Sequence, residues 1–113
     1  MSSQIHIRPA TGTWTIRAGG ALIGQSDRAL ELTEGSSLAV VYVPRDDVMM
    51  DMLDRSDRTT ACPHKGVASY YSILTPSGRI ENAVWSYETP KSQMGAIAGH
   101  LAFYPDRVLL EQL

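Results

Sequence analysis

The chain has 113 residues, 43% of them hydrophobic and 19% charged, values of a globular protein able to bury a core without staples. Ten basic against twelve acidic residues give a net charge of -2 with no run of like sign, which argues against a general nucleic-acid binder. The single cysteine excludes an internal disulfide and fits a reducing cytoplasm; no apolar run approaches the roughly 20 residues of a membrane span. The beginning, Met1-Ser2-Ser3-Gln4-Ile5-His6, carries no secretory pattern. One domain over residues 1–113, cytoplasmic and without membrane or nucleic-acid partners, is the expectation.

In chain order, Ile5 to Arg8 alternates apolar and polar until Pro9, as a short edge strand does. Thr13 to Arg17 alternates again, Ala18-Gly19-Gly20-Ala21 is a hairpin turn, and Leu22 to Ser26 returns, with Gly24 marking a bulge. Leu30 and Leu32 between charged neighbours predict a strand over Arg28 to Thr33. The β-branched run Ser37 to Val43 reads as a central strand covered on both faces. Val48, Met49, Met52 and Leu53 share a helical stripe, so one short α-helix is expected at about 45–54, with Asp51 and Arg55 paired across a turn.

Ser56 to Arg58 reads as a solvated connection into the densest chemistry of the chain, Thr59 to Tyr71. Strands are expected at Val67 to Leu74 and Ile80 to Thr89 around the turn signal Thr75 to Arg79. In the second of these, Trp85 and Tyr87 share one face and Val84 and Ser86 the other. Pro90 to Gly95 reads as a loop and Ala96 to Tyr104 as a long strand with His100, Ala102 and Tyr104 on one face. Val108 to Leu110 closes the chain. The expected fold is mainly β, with two antiparallel sheets and the one helix.

The run Thr60-Ala61-Cys62-Pro63-His64-Lys65-Gly66-Val67-Ala68-Ser69-Tyr70, with Ala83-Val84-Trp85-Ser86-Tyr87, Pro90 and Ile97 to Tyr104, resembles the bacterial and fungal family called domain of unknown function 427. Tyr42-Val43-Pro44 with Asp47-Val48 resembles its preceding block, and the likeness covers roughly residues 12–106. It implies a small β domain similar to the β-tent (Mss4-like) fold, two antiparallel sheets pinched together at one end, and no established activity. The nucleotidyl-transfer label attached to the family finds no support in these residues, which hold no phosphate-cradling glycine loop and no paired metal-binding acids. Relatives in that fold bind zinc through paired Cys-x-x-Cys motifs, which one cysteine cannot supply. No cofactor is expected, and no metal site, because His6, His64 and His100 have no ligand spacing.

Three functions stay open. The leading one is a binding module: Tyr42, Lys65, Trp85, Tyr87, His100 and Tyr104 line an aromatic groove for a small anionic metabolite or a peptide end, Lys65 supplying charge and Trp85 a stacking wall. This cluster requires Trp85 and His100 to face one side of the domain; its ordinary alternative is an aromatic core. The second is an enzyme in which Cys62 or His100 does acid-base or covalent work beside Tyr104, a thiolate near the His64 imidazole being activated. Against it, cysteine is among the most commonly buried residues and Pro63 places Cys62 and His64 in a turn. The third is a protein-interaction domain using an exposed sheet edge. Oligomeric state and ligand identity have no signature in the sequence.

Overall fold

The computed structural model describes residues 4–113; Met1, Ser2 and Ser3, part of the amino-terminal reading, lie outside the described residues. The protein is mainly β, and its antiparallel strands form three sheets where two were expected. β1 (Ile5–Pro9), β4 (Leu30–Glu34) and β5 (Val40–Tyr42) make the first, in the order β1-β4-β5. β2 (Trp14–Ala18), β3 (Ala21–Ser26) and β10 (Leu109–Gln112) make the second, in the order β10-β2-β3. β6 (Leu53–Cys62), β7 (Gly66–Thr75), β8 (Gly78–Ser86) and β9 (Ala102–Phe103) follow one another across the third. Alternation in a sequence reveals strands but not their partners. Here the last strand pairs with β2, nearly a chain length away.

The four-stranded sheet is covered on both faces. Ile16 and Ile23 of the second sheet pack with Ile73, Val84, Leu101 and Phe103; complete burial of each isoleucine contributes roughly 1.5–3 kcal/mol. On the opposite face, Leu32 and Tyr42 meet Ala68, Tyr70, Tyr87 and Ala102. The strand expected over Ser37 to Val43 is shorter, and its end is a seam: Val43 and Leu101 exchange backbone hydrogen bonds of 2.8 Å, joining the first sheet to the third.

The α-helix expected at 45–54 does not form. Arg45–Asp47 and Met50–Met52 are single 3-10 turns, and Leu53 already begins β6. Between the turns Val48 is extended and bridges Gly24, and the Met49 N–H donates to the Ile23 carbonyl at 2.8 Å. The Asp47 carboxylate accepts from Ser26 Oγ at 2.6 Å and from Arg28 at 3.0 Å. These tertiary bonds outcompete a ten-residue helix, too short to be stable alone. The stripe splits accordingly: Val48 is 6% exposed and Met49 55%. Nor does Arg55 pair with Asp51; it donates to Glu88 and Ser69.

Polar residues expected to connect elements lie inside β6, where the register jumps from Arg55 opposite Tyr71 to Thr59 opposite Ser69, bulging out Ser56, Asp57 and Arg58. A matching bulge in β8 turns on Asn82, whose φ of 48° is tolerated by asparagine more readily than by most residues. Ser92–Ile97, read as loop and strand start, is a 3-10 segment; Gly99 then turns at a φ of 72°, and regular strand is confined to Ala102–Phe103. No helix among the described residues is long and apolar enough to cross a membrane.

Candidate functional site

A groove of about 280 Å³ opens on the face of the third sheet turned toward the first. Its aromatic wall comes from β7 and β8. Tyr70 stands opposite Trp85 in the ladder, and alternation carries both to this face while Tyr71 and Val84 go to the other. Trp85 meets Tyr42 edge-on, with ring centroids 6.5 Å apart, and its Nε1 donates to the Tyr42 hydroxyl at 3.4 Å. Tyr104 lies against the other side of the indole at 4.7 Å and stacks with Tyr70 at 6.4 Å. The Leu32 and Val40 side chains line the floor, and Leu38, 92% exposed, stands on the rim.

Of the residues expected to converge, Tyr42, Lys65, Trp85, Tyr87 and Tyr104 do line this groove. His100 does not. It lines a separate cleft with Arg45 and Gly99 and lies 3.3 Å from the Ala98 carbonyl through Nδ1. Counting faces back from Tyr104 fails because the strand begins only after residue 100. The requirement that Trp85 and His100 share one pocket is therefore not met, and the groove closes instead on Tyr70 and Glu34. The same separation removes His100 as an acid-base partner for Tyr104.

Tyr70 could have been found in the sequence. The β8 bulge displaces the register by two residues, which preserves face parity, so a count back from the Thr75 to Gly78 turn still puts Tyr70 on the side of Trp85. Glu34 had no comparable signal, since it arrives from another sheet.

The hairpin turn between β6 and β7 places Lys65. The Lys65 N–H donates to the Cys62 carbonyl at 3.3 Å, and the Lys65 carbonyl accepts from the Lys91 N–H at 2.9 Å. Gly66 adopts a φ of 118°, open to glycine alone, with Pro90 packed behind it. The lysine expected at the mouth of the sheet folds inward instead: its side chain is 11% exposed, with Nζ 3.0 Å from Glu34 and 3.7 Å from Cys62 Sγ. Burial pulls the ammonium down, and Glu34, with the Cys62 sulfur, more than offsets this and holds it above its ordinary value. This end of the groove is thus a neutral pair with hydrogen-bonding capacity left, an ammonium having three donors and a carboxylate several acceptor positions.

A family model described as Domain of unknown function (DUF427) matches residues 6–112. The chain belongs to this family. No curated protein matches it. The DUF427 description names no activity, so the chemistry must come from the residues themselves.

Burial pushes the Cys62 thiol up, but the backbone N–H groups of His64 and Lys65 and the Lys65 ammonium together bring it below its ordinary value. The neighbour that counts at the thiol is Lys65. His64 lines a different cleft with Pro63 and Lys91. Burial likewise raises Tyr42 and Tyr87. Tyr70 and Tyr104 part company: their hydroxyls are 3.2 Å apart, and Tyr70 also lies 3.1 Å from Thr60 Oγ1. At Tyr70 burial is outweighed by the Thr60 and Tyr104 hydroxyls and by Arg58, which hold the phenol below its usual value; burial and the Tyr70 oxygen push Tyr104 up to about 12. Among the described residues no group of three or more His, Cys, Asp or Glu side chains is arranged to hold a metal ion.

Proposed function

We propose that this DUF427 chain is a small-ligand-binding module whose groove takes a planar ring against Trp85. The observation that carries the reading is the wall itself: a half-buried indole held edge-on by Tyr42 and flanked by Tyr104, facing open space. A ring settling there gains aromatic contact on a preformed surface. The Lys65–Glu34 pair receives the ligand's polar edge, one donor and one acceptor side by side. An anionic metabolite or peptide carboxylate at that end must displace Glu34 from Lys65, so a neutral edge such as an amide or ring nitrogen fits it better. Leu38 on the rim loses water when the groove fills. The reading involves neither nucleic acid nor a membrane, and a free Cys62 fits a reducing cytoplasm.

The test is a thermal-shift screen of amides, imides, heterocycles, amino acids, sugar phosphates and short peptides against the wild type and Trp85→Leu. At a hundredfold excess over its dissociation constant a ligand adds about 2.7 kcal/mol, a rise of several degrees or more. A hit whose shift falls to about half in Trp85→Leu, as a tenfold loss of affinity requires, supports the groove; a hit indifferent to that substitution refutes it.

One observation favours a second reading, an enzyme using Cys62 as nucleophile: the lowered thiol 3.7 Å from the Lys65 ammonium. It predicts that hits from the screen are turned over and that Cys62→Ser abolishes turnover. Binding that is unchanged in Cys62→Ser, without turnover, returns the groove to a binding role.

A further inference from the structure

Tyr104 lines not one cavity but two. Beyond it, a second hollow of about 240 Å³ is bounded by Arg58, Glu81, Asn82, Tyr104 and Arg107. The Arg107 guanidinium lies over the Tyr104 ring at 5.6 Å, and that of Arg58 over the Tyr70 ring at 5.0 Å, so the stacked tyrosine pair has a cation on each member. Tyr104 links the two: its ring centroid lies 4.7 Å from that of Trp85 and 5.6 Å from the Arg107 guanidinium.

The charges of this hollow are unevenly matched. Among the described residues Arg58 has no carboxylate within 4.0 Å, and the closest approach of Arg107 is a loose 3.9 Å from its Nε to Asp106. Arg107 Nη1 donates to the Glu81 carbonyl, which fixes the side chain while leaving other N–H groups of the fork unspent. The one acid on the lining, Glu81, is committed elsewhere: it accepts from Arg79 Nε at 2.5 Å and from Ser72 Oγ at 3.4 Å. Asn82 Oδ1 accepts from Ser56 at 2.6 Å. The lowered Tyr70 phenol, whose oxygen faces hydroxyl donors and Arg58, agrees with a locus that favours negative oxygen.

The geometry points to a phosphate subsite at Arg58 and Arg107, continuous with the aromatic groove across Tyr104. The ligand is then an aromatic or heteroaromatic ring carrying a phosphate on a short flexible arm, ring on Trp85 and phosphate between the two guanidinium groups. Two planar, permanently charged forks suit a dianionic oxyanion better than a single carboxylate. This inference rests on the ring-binding reading above and moves the anionic end away from Lys65, where Glu34 already holds the charge.

The experiment uses the full chain carrying Trp14→Phe, so that Trp85 is the only tryptophan, and follows its fluorescence on titration with 3-phenylpropyl phosphate and with neutral 3-phenylpropanol. The phosphate is expected to bind about tenfold more tightly, roughly 1.4 kcal/mol. That preference disappears in Arg58→Gln/Arg107→Gln, falls in Arg58→Gln alone, and persists in Lys65→Met. Variants are compared after circular dichroism establishes the native fold; Arg58→Gln, which breaks no ion pair, keeps the test decisive if the double variant does not fold. Equal affinity for the two probes overturns the phosphate subsite and leaves the groove standing. So does a preference lost in Lys65→Met but kept in the arginine variants. Failure of both probes to perturb Trp85 overturns the groove and the subsite together.

Discussion

Tyr70 and Tyr71 are neighbours on β7 pointing to opposite faces of one sheet, and their surroundings separate structure from function. The Tyr71 hydroxyl donates to Glu88 at 2.5 Å, and Glu88 also takes Arg45 at 3.0 Å and Arg55 at 2.7 Å. Arg45 goes on to the Gly99 carbonyl and Arg55 to Ser69. Each cation there has a carboxylate or carbonyl within reach, so the network ties the 3-10 turn at Arg45–Asp47 to the sheet and leaves little for a ligand. The Tyr70 face is built differently. Its phenol meets Thr60, Tyr104 and Arg58, with an open groove on one side and, on the other, Arg58, which has no carboxylate within 4.0 Å among the described residues. A satisfied polar cluster stabilises a fold; an unsatisfied one beside a cavity is where binding energy remains to be gained.

The contrast predicts that the two faces fail in different ways. The largest effect belongs to the closed face: Ile73→Ala, in a position with no exposure, costs about 3 kcal/mol in urea denaturation and leaves ring binding intact in the folded fraction. On the groove face, Trp85→Leu weakens a bound ring by about tenfold, roughly 1.4 kcal/mol in a titration, while the fold persists. Equal losses of stability and binding in both variants would erase the distinction between the faces.

A smaller effect sharpens it. Burial raises Glu88, but the Tyr71 hydroxyl, Arg55 and Arg45 together hold its carboxyl below the ordinary range. A folded value below the unfolded one, about 4.3, means the contribution to stability is complete above that pH and is lost as pH falls through the folded value. Glu88→Gln therefore costs about 1 kcal/mol at neutral pH, discounted for partial exposure, and flattens the stability profile below about pH 4. A wild-type profile already flat there would contradict the role given to Glu88. The smallest effect is at the turn: Lys65→Met raises the Cys62 thiol and slows its alkylation by iodoacetamide at pH 7 about threefold. An unchanged rate would sever Cys62 from Lys65.

Much of this contrast was written in residue alternation. Trp85 and Tyr87 against Val84 and Ser86 follows from period two, and it survives the Asn82 bulge because a two-residue shift keeps parity. What alternation could not carry was partner choice and local competition. Helical spacing at Val48 to Leu53 lost to hydrogen bonds from β3, a strand more than twenty residues earlier. His100 leaves the face that alternation predicts because Gly99 turns the chain where continuous small residues predict a strand. Glu34, which neutralises Lys65, comes from a different sheet, and only the assembled fold shows that the cations left loosely matched beside the groove are Arg58 and Arg107.

The central claim, that the Tyr70 face of the sheet receives a ring on Trp85, is tested most directly by the two indole N–H signals in a proton–nitrogen correlation spectrum. Trp14 is the internal control, its Nε1 donating to the Thr11 carbonyl at 3.1 Å in a different sheet. On titration with 3-phenylpropyl phosphate the Trp85 signal should move with a saturating curve as its contact with Tyr42 is rearranged, and the Trp14 signal should stay in place. A stationary Trp85 signal at saturating probe, or movement of Trp14 alone, would contradict the account.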